Sequence, residues 1–419
     1  MSNIPKKKLG RKFVIIGTIL FPLFSCLYCV SLNSEKLIGG LLSYLVIILA
    51  CLSFVILMVG CYFYLTGKDK VNKLKKGFRY TLGVLAFIYI VGGYSILTIL
   101  YFPGSKFKDW LITTAMTTMN HQYFATWFYD EHDVNVVMSN NSVIESGEDT
   151  NPNMISFTEP DFNGQTYENE YEKQILTRDS EDQVYKVIDI KTDKFKAKMA
   201  VVYDASKVVL GISKGMSNSL QTSYGQFIDE IAARYGAKLA INAGGFYDPN
   251  WNSSGGVPHG VVISQGKLVA NNIRAGVGGG IIGFNSENKL ILARMSAKEA
   301  INAGIRDAVD FGPFLIVNGK SSFIKGNGGW GDAPRSAIAQ RADGIVLLLA
   351  IDGRQTGSVG ADMNDMAELL LNYGAINASN LDGGTSTAME ENGKIISNPR
   401  NGNFQAKTRP VPNAWIVLE

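Results

Sequence analysis

Apolar residues crowd the first quarter of the chain in three long runs, roughly 13–32, 37–65 and 80–102, and none of them shows a polar stripe at the helical period. Each run reaches the ~20 apolar residues that a helix needs to cross about 30 Å of hydrocarbon, so the pattern predicts three transmembrane helices within residues 1–105. Lys6, Lys7, Lys8, Arg11 and Lys12 precede the first run, and Lys68, Lys70, Lys73, Lys75, Lys76 and Arg79 separate the second from the third. The positive-inside bias then predicts a multi-pass cell-membrane protein held in the lipid bilayer, with a cytoplasmic N-terminus and an extracellular C-terminal domain.

After the runs the pattern changes twice. Residues 106–129 carry Trp110, Met116, Met119, Tyr123, Trp127 and Phe128 in the spacing of an amphipathic helix, and residues 139–182 are rich in Asn, Ser, Glu, Asp and Gly, as a polar spacer would be. Residues 106–183 are therefore read as a juxtamembrane helix and spacer. From residue 184 to 419, β-branched runs such as "VYKVIDI", "AKMAVVYD" and "GIVLLLAIDGR" alternate with turn signals, among them "SQG" at 264–266. Helical spacing recurs at 223–235 and 361–373. Strands outnumber helices without βαβ alternation, which predicts an α+β domain built on mixed β-sheets.

Charge and cysteine usage narrow the function. Of 40 basic and 37 acidic side chains, 12 and 2 lie before residue 106, leaving 28 basic against 35 acidic in the remainder. That acidic balance excludes a general nucleic-acid binder, which needs a basic face to neutralise phosphates. All four cysteines, Cys26, Cys29, Cys51 and Cys61, fall in the apolar runs, so the later domain uses neither disulfides nor thiol chemistry. Nothing in the pattern specifies an oligomeric state.

Candidate chemistry gathers where strands end. "INAGGFYDPN" takes a strand through Asn242 into Gly244, Gly245 and Phe246, where paired glycines allow close approach and an aromatic ring suits a sugar face. "GVGGGIIGF" lacks the following helix that a dinucleotide loop requires. Arg335 opens a strand in "PRSAIA", and Asp352 and Arg354 close one in "AIDGRQ". "NLDGGTSTAM" ends another at Asp382, followed by Gly383, Gly384, Thr385, Ser386 and Thr387. A hairpin turn needs only Asp-Gly, so the second glycine and three hydroxyls are extra donors, suited to an anion. Two carboxylates at one cleft, Asp382 and Asp352, can divide acid and base roles. Arg409, before the last strand, adds a further cation.

Together, "INAGGFY", "HGVVISQGK", "FGPFLIVNGK", "PRSAIA", "AIDGRQ", "NLDGGTSTAM" and "RPVPNAWIV" stand in the order and approximate spacing of the phosphodiester glycosidase family, which residues 184–419 resemble. The family's arginine segment usually reads nearer P-R-T-A-I-G and its aspartate turn often has a third glycine where this chain has Thr385. The resemblance implies hydrolysis of a sugar-1-phosphodiester at the glycosyl C–O bond, on a glycosyl-phosphate or polysaccharide substrate of the cell wall or exported polysaccharide. It implies Arg335 and Arg409 on the phosphate, Asp382 or Asp352 on the water or the sugar cation, and Asn242 and His259 on sugar hydroxyls. No cofactor is required, and carboxylates offer sites for a divalent cation without a spacing that specifies one. The competing readings are a non-catalytic glycan-binding or polysaccharide-assembly protein and a metal-dependent phosphodiesterase.

Overall fold

The computed structural model describes residues 6–32, 49, 52–61, 92–93, 100, 106–118, 121–157, 166–219, 222–248, 253–272, 280–401 and 405–419. It divides into two compact units, residues 1–112 with 123–137, and residues 113–122 with 138–419.

In the first unit a helix runs from Lys6 to Leu32, and residues 52–61 form a second helical piece. They pack closely at small residues: a Cβ on Gly17 would lie 2.5 Å from Leu57, and one on Gly60 would lie 2.6 Å from the Val14 backbone. Phe21 and Phe54 meet at 5.5 Å. Among the described residues no helix is long and apolar enough to cross a membrane. This overturns the expectation of three transmembrane helices. The multi-pass membrane location, with its cytoplasmic N-terminus and extracellular C-terminal domain, falls with it, because the orientation was read from charges flanking spans. Apolar runs record composition, whereas crossing requires one continuous apolar helix of ~20 residues, at about 1.5 Å each. The Lys6–Leu32 helix opens on five basic residues within its first seven positions, and its Gly17 packs on Leu57 of another helical piece. Of the run at 37–65 the structure describes residue 49 and the ~15 Å of helix at 52–61; the rest of that run and nearly all of the run at 80–102 lie outside the described residues.

The second unit is α+β, built from three larger sheets. The widest has seven strands in the order Lys320–Ser321, Phe314–Val317, Ala375–Asn380, Arg335–Arg341, Val346–Ile351, Lys196–Val202 and Tyr185–Lys191. A five-stranded sheet runs Lys394–Ile395, Met389–Glu391, Leu239–Asn242, Asn413–Val417 and Val208–Ile212, and another runs Lys267–Asn272, Gly260–Ser264, Ile305–Asp310, Ile281–Asn285 and Leu290–Ala293. Every described pairing is antiparallel, where mixed sheets were expected. Successive antiparallel strands need only short turns, such as Gln265-Gly266, both at positive φ, in the hairpin expected at "SQG".

Inner faces of all three sheets meet in one core that includes Val202, Ile241, Phe284, Ile338, Leu348 and Trp415. Each sheet also buries its outer face under a helix: Met363–Asn372 on the seven-stranded sheet, Ile228–Tyr235 and Ala297–Asn302 on the other two. Burial on both faces explains why "VLLLAI" is apolar at every position. The polar segment before residue 184 is built in as well. Ser142–Ile144 pairs with Phe323–Lys325, Thr150 bonds Leu292, and Ile155 and Ile175 are buried.

One buried acid sits outside the sites below. Glu390, on the strand Met389–Glu391, accepts from the Gly393 N–H with one oxygen, while Oε2 has no partner among the described residues. Burial, and after it the charge of Asp229, pushes its carboxyl up to about 7 against the backbone bond from Gly393. The folded state therefore holds the proton more tightly than the unfolded chain, and stability falls as pH rises from about 4.5 through about 7. Glu390→Gln should flatten that slope and raise stability at about pH 8 by ~1–2 kcal/mol, after discounting for partial solvent screening. Denaturant unfolding at both pH extremes measures it; a slope unchanged by the substitution would clear Glu390 of the effect.

Candidate active site

Antiparallel register brings three of the motifs to one end of the seven-stranded sheet. Arg335 starts its strand opposite Ile351, the residue before Asp352, and Ala337 stands opposite Asn380, two residues before Asp382. The chain then crosses to the neighbouring sheet, where the Asp382 N–H bonds the Ala243 carbonyl at 3.0 Å. Asn242, fully buried, fixes this crossing. Its Nδ2 donates to the Asp382 carbonyl at 2.5 Å, and its Oδ1 accepts from Ser336 Oγ at 2.7 Å and Ala388 N at 3.2 Å. Asn242 thus joins three backbone segments and holds the acidic turn.

Asp382 is half-buried, and desolvation raises its carboxyl to about 6, although the Ser386 hydroxyl, the Arg409 charge and the Gly383 N–H all favour the ionised form. Arg409 donates to Asp248 Oδ2 at 2.5 Å and to Thr385 Oγ1 at 3.2 Å, and its guanidinium lies 4.5 Å from the centre of the Phe246 ring. The Asp248 side chain is 2% exposed. Asp382, Thr385, Ser386, Phe246 and Arg409 therefore form one cluster, and the second carboxylate beside Asp382 is Asp248.

The other sequence candidates have different surroundings. Asp352 accepts from the Asn398 N–H at 2.8 Å, and burial raises its carboxyl. It ties the 352–358 loop to the chain at 398. Arg335 is buried and donates to the carbonyls of Trp330, Gly331 and Ala361 at 2.5, 2.8 and 3.1 Å. Burial, then the charge of Arg354, lowers its guanidinium to about 10. The N–H of Gly383 bonds the Asp382 carboxylate and that of Gly384 bonds the Pro334 carbonyl, so both are already committed. Thr387 is buried behind the turn. Gly244 donates to Asn413 Oδ1 at 2.8 Å, and Gly245 leaves room for the Phe311 ring, which a Cβ would meet at 2.7 Å. His259 donates its N–H to the Gly245 carbonyl and stands edge-on to Tyr247.

Among the described residues one group of carboxylates, Asp332, Asp362 and Asp365, has the closeness of a metal site. The Lys194 ammonium already fills it, at 2.6 Å from Asp332, 2.5 Å from Asp365 and 3.7 Å from Asp362. Burial opposes that charge, but the hydrogen bonds to Asp332 and Asp365 more than offset it and keep Lys194 protonated beyond its usual range. A divalent ion would have to displace a bound cation there.

One residue of the cluster, Asp248, escapes a reading of the sequence, and so does the placement of Arg354. Asp248 sits in "YDPN", which reads as a turn, and its partner lies 161 positions away. Arg354 reads as half of an ion pair with Asp352, but its φ of 58° turns it elsewhere, to within 3.4 Å of where a Cβ on Gly384 would stand. A left-handed non-glycine residue followed by "QTG" carries no signal of its own in the sequence.

The sequence has relatives. The chain is 32% identical over 194 residues to the SPbeta prophage-derived uncharacterized protein YomE of Bacillus subtilis, an alignment covering 44% of this chain and 29% of that one. It is 26% identical over 189 residues to the N-acetylglucosamine-1-phosphodiester alpha-N-acetylglucosaminidase of Bos taurus, covering 41% and 34%. The chain thus matches about a third of the length of these relatives. The solved catalytic domain of the zebrafish N-acetylglucosamine-1-phosphodiester alpha-N-acetylglucosaminidase superposes with a TM-score of 0.48 at 21% identity, over 57% of this chain and 84% of that one. The phosphodiester glycosidase profile matches residues 235–418, from the helix end at Tyr235 through the Asp382 turn and Arg409 to the final strand. Over residues 235–418 this chain is therefore similar to the phosphodiester glycosidase family.

Proposed function

We propose that the domain hydrolyses a glycosyl phosphodiester at the sugar C–O bond, releasing a sugar such as N-acetylglucosamine and leaving a phosphomonoester. The observation that carries this reading is Asp382: a half-buried carboxyl raised to about 6, held by Ser386 and Gly383, beside the Arg409–Asp248 pair. Near neutral pH such a group is mostly ionised yet basic enough to take a proton. The water oxygen bonds to the anomeric carbon while one of its protons passes to Asp382. The electron pair of the breaking C–O bond goes to the phosphate oxygen, whose group changes from a monoanion to a dianion. That leaving group is a weak base and needs charge stabilisation more than protonation. Phe246, beneath Arg409, supplies an apolar face at the cluster.

Asn242 supports the turn rather than the sugar, because its oxygen already accepts two bonds inside the fold. A metal-dependent P–O cleavage finds no support in the Asp332–Asp362–Asp365 group, which holds Lys194. The deciding experiment incubates the full chain with an N-acetylglucosamine-1-phosphodiester in heavy-oxygen water. Label in the released sugar is expected. Label in the phosphate would mean P–O cleavage, and glycan binding with no product would mean a binding protein; either outcome removes the glycosidase reading.

A further inference from the structure

The guanidinium of Arg354 makes no hydrogen bond or ion pair among the described residues, although the side chain is half-buried and burial lowers its affinity for its proton. The arginines around it are committed. Arg335 is held by three carbonyls, and Arg409 by Asp248 and Thr385. Arg354 is also close enough to Arg335 for the two like charges to be felt. An unneutralised guanidinium near a second one is unfavourable unless an anion comes between or beside them.

Its placement is enforced by the loop. Arg354 has φ 58°, a region in which L residues other than Asn and Asp are uncommon. The strained residue is braced on every side: its own N–H bonds Val359 O at 3.1 Å, Ser358 Oγ bonds Asp352 O at 2.7 Å, the Asp352 carboxylate accepts from Asn398 N, and Gln355 Nε2 bonds Asn398 O at 3.0 Å. The effect is to aim the guanidinium at the glycine turn that follows Asp382. Its Nη2, Nη1 and Cζ lie 3.4, 3.8 and 3.9 Å from the place of a Gly384 Cβ. Backbone strain retained against a loop's preference, with a bare charge at its end, is the pattern of a ligand clamp.

We propose that Arg354 is the phosphoryl-binding residue of the site, its planar fork receiving the oxygens of the phosphodiester beside the Gly383–Gly384 turn and keeping them as the phosphomonoester dianion forms. This rests on the reading of Asp382 as the hydrolytic carboxylate, and it moves the phosphate from Arg335 and Arg409, whose guanidinium groups already have protein partners, to the one that has none among the described residues. Asp352 is then a positioning residue, holding the Arg354 loop through Asn398.

Arg354→Gly tests this without disturbing the backbone, because glycine adopts positive φ readily. Titration of the full chain with inorganic phosphate should show binding weakened about 10- to 100-fold, with Arg354→Lys in between, since a lysine keeps the charge but not the fork. On substrates, Arg354→Gly should lose at least about tenfold more kcat/KM on an N-acetylglucosamine-1-phosphodiester than on a neutral nitrophenyl N-acetylglucosaminide. Equal losses on both, with phosphate affinity unchanged, would mean a structural role and overturn the proposal. If the wild type cleaves neither substrate but binds phosphate through Arg354, the anion site stands and the hydrolase reading falls. If it cleaves the phosphodiester and Arg354→Gly alters neither phosphate affinity nor the substrate ratio, the hydrolase reading stands and the Arg354 site falls.

Discussion

Asp382→Asn is expected to lower kcat/KM on an N-acetylglucosamine-1-phosphodiester by about 100- to 10,000-fold, the range for removing a positioned general base. The amide keeps the shape and can still accept from Gly383, and it removes a charge that burial disfavours, so the thermal midpoint should hold or rise. Loss of activity with an intact fold separates chemistry from structure. The same carboxyl predicts the pH profile. Because its pKa is raised to about 6 and the ionised form is the working one, kcat/KM should climb about tenfold per pH unit below about 6 and level off above it. A profile that falls as pH rises through about 6 would make Asp382 a proton donor and reverse its role.

The strand-end placement of Asp382 was legible in the sequence, and the reason is local. An apolar strand that ends in Asp-Gly-Gly and then hydroxyls contains more donors than a turn needs, and the structure does place Asp382 at a strand-end crossing with Ser386 bonded to it. The runs "VLLLAI" and "NAWIV" were legible as strands for a similar reason, since burial on both faces leaves no polar positions. What the sequence hid depends on contacts between distant segments or on backbone angles. Asp248 has meaning only through Arg409, and Arg354 only through a left-handed φ. The N–H groups of Gly383 and Gly384 looked available as anion donors, but Asp382 and Pro334 take them. The apolar runs before residue 106 misled in another way: hydropathy counts residues, and carries no record of which helical pieces pack together, as Gly17 does on Leu57 and Gly60 on Val14.

A second large effect is expected at a residue that touches no reacting atom. Asn242→Ala should destabilise the second unit by about 3–5 kcal/mol, because it strands the Ser336 hydroxyl and the Ala388 N–H in a buried site, at ~1–3 kcal/mol each, and leaves a small cavity. It also frees the Asp382 carbonyl from its anchor, so activity should fall even at temperatures where the variant remains folded. Ser336→Ala supplies the control. Removing the hydroxyl leaves Asn242 Oδ1 with Ala388 N as a remaining partner, so the single variant should cost less, and the double variant should cost less than the sum by about 0.5–3 kcal/mol because the two side chains share one bond. Urea unfolding of the four proteins measures the coupling. Strict additivity, or a loss under about 1 kcal/mol for Asn242→Ala, would mean that the acidic turn is held by its backbone bonds to Ala243 and Ser336 without help from the amide.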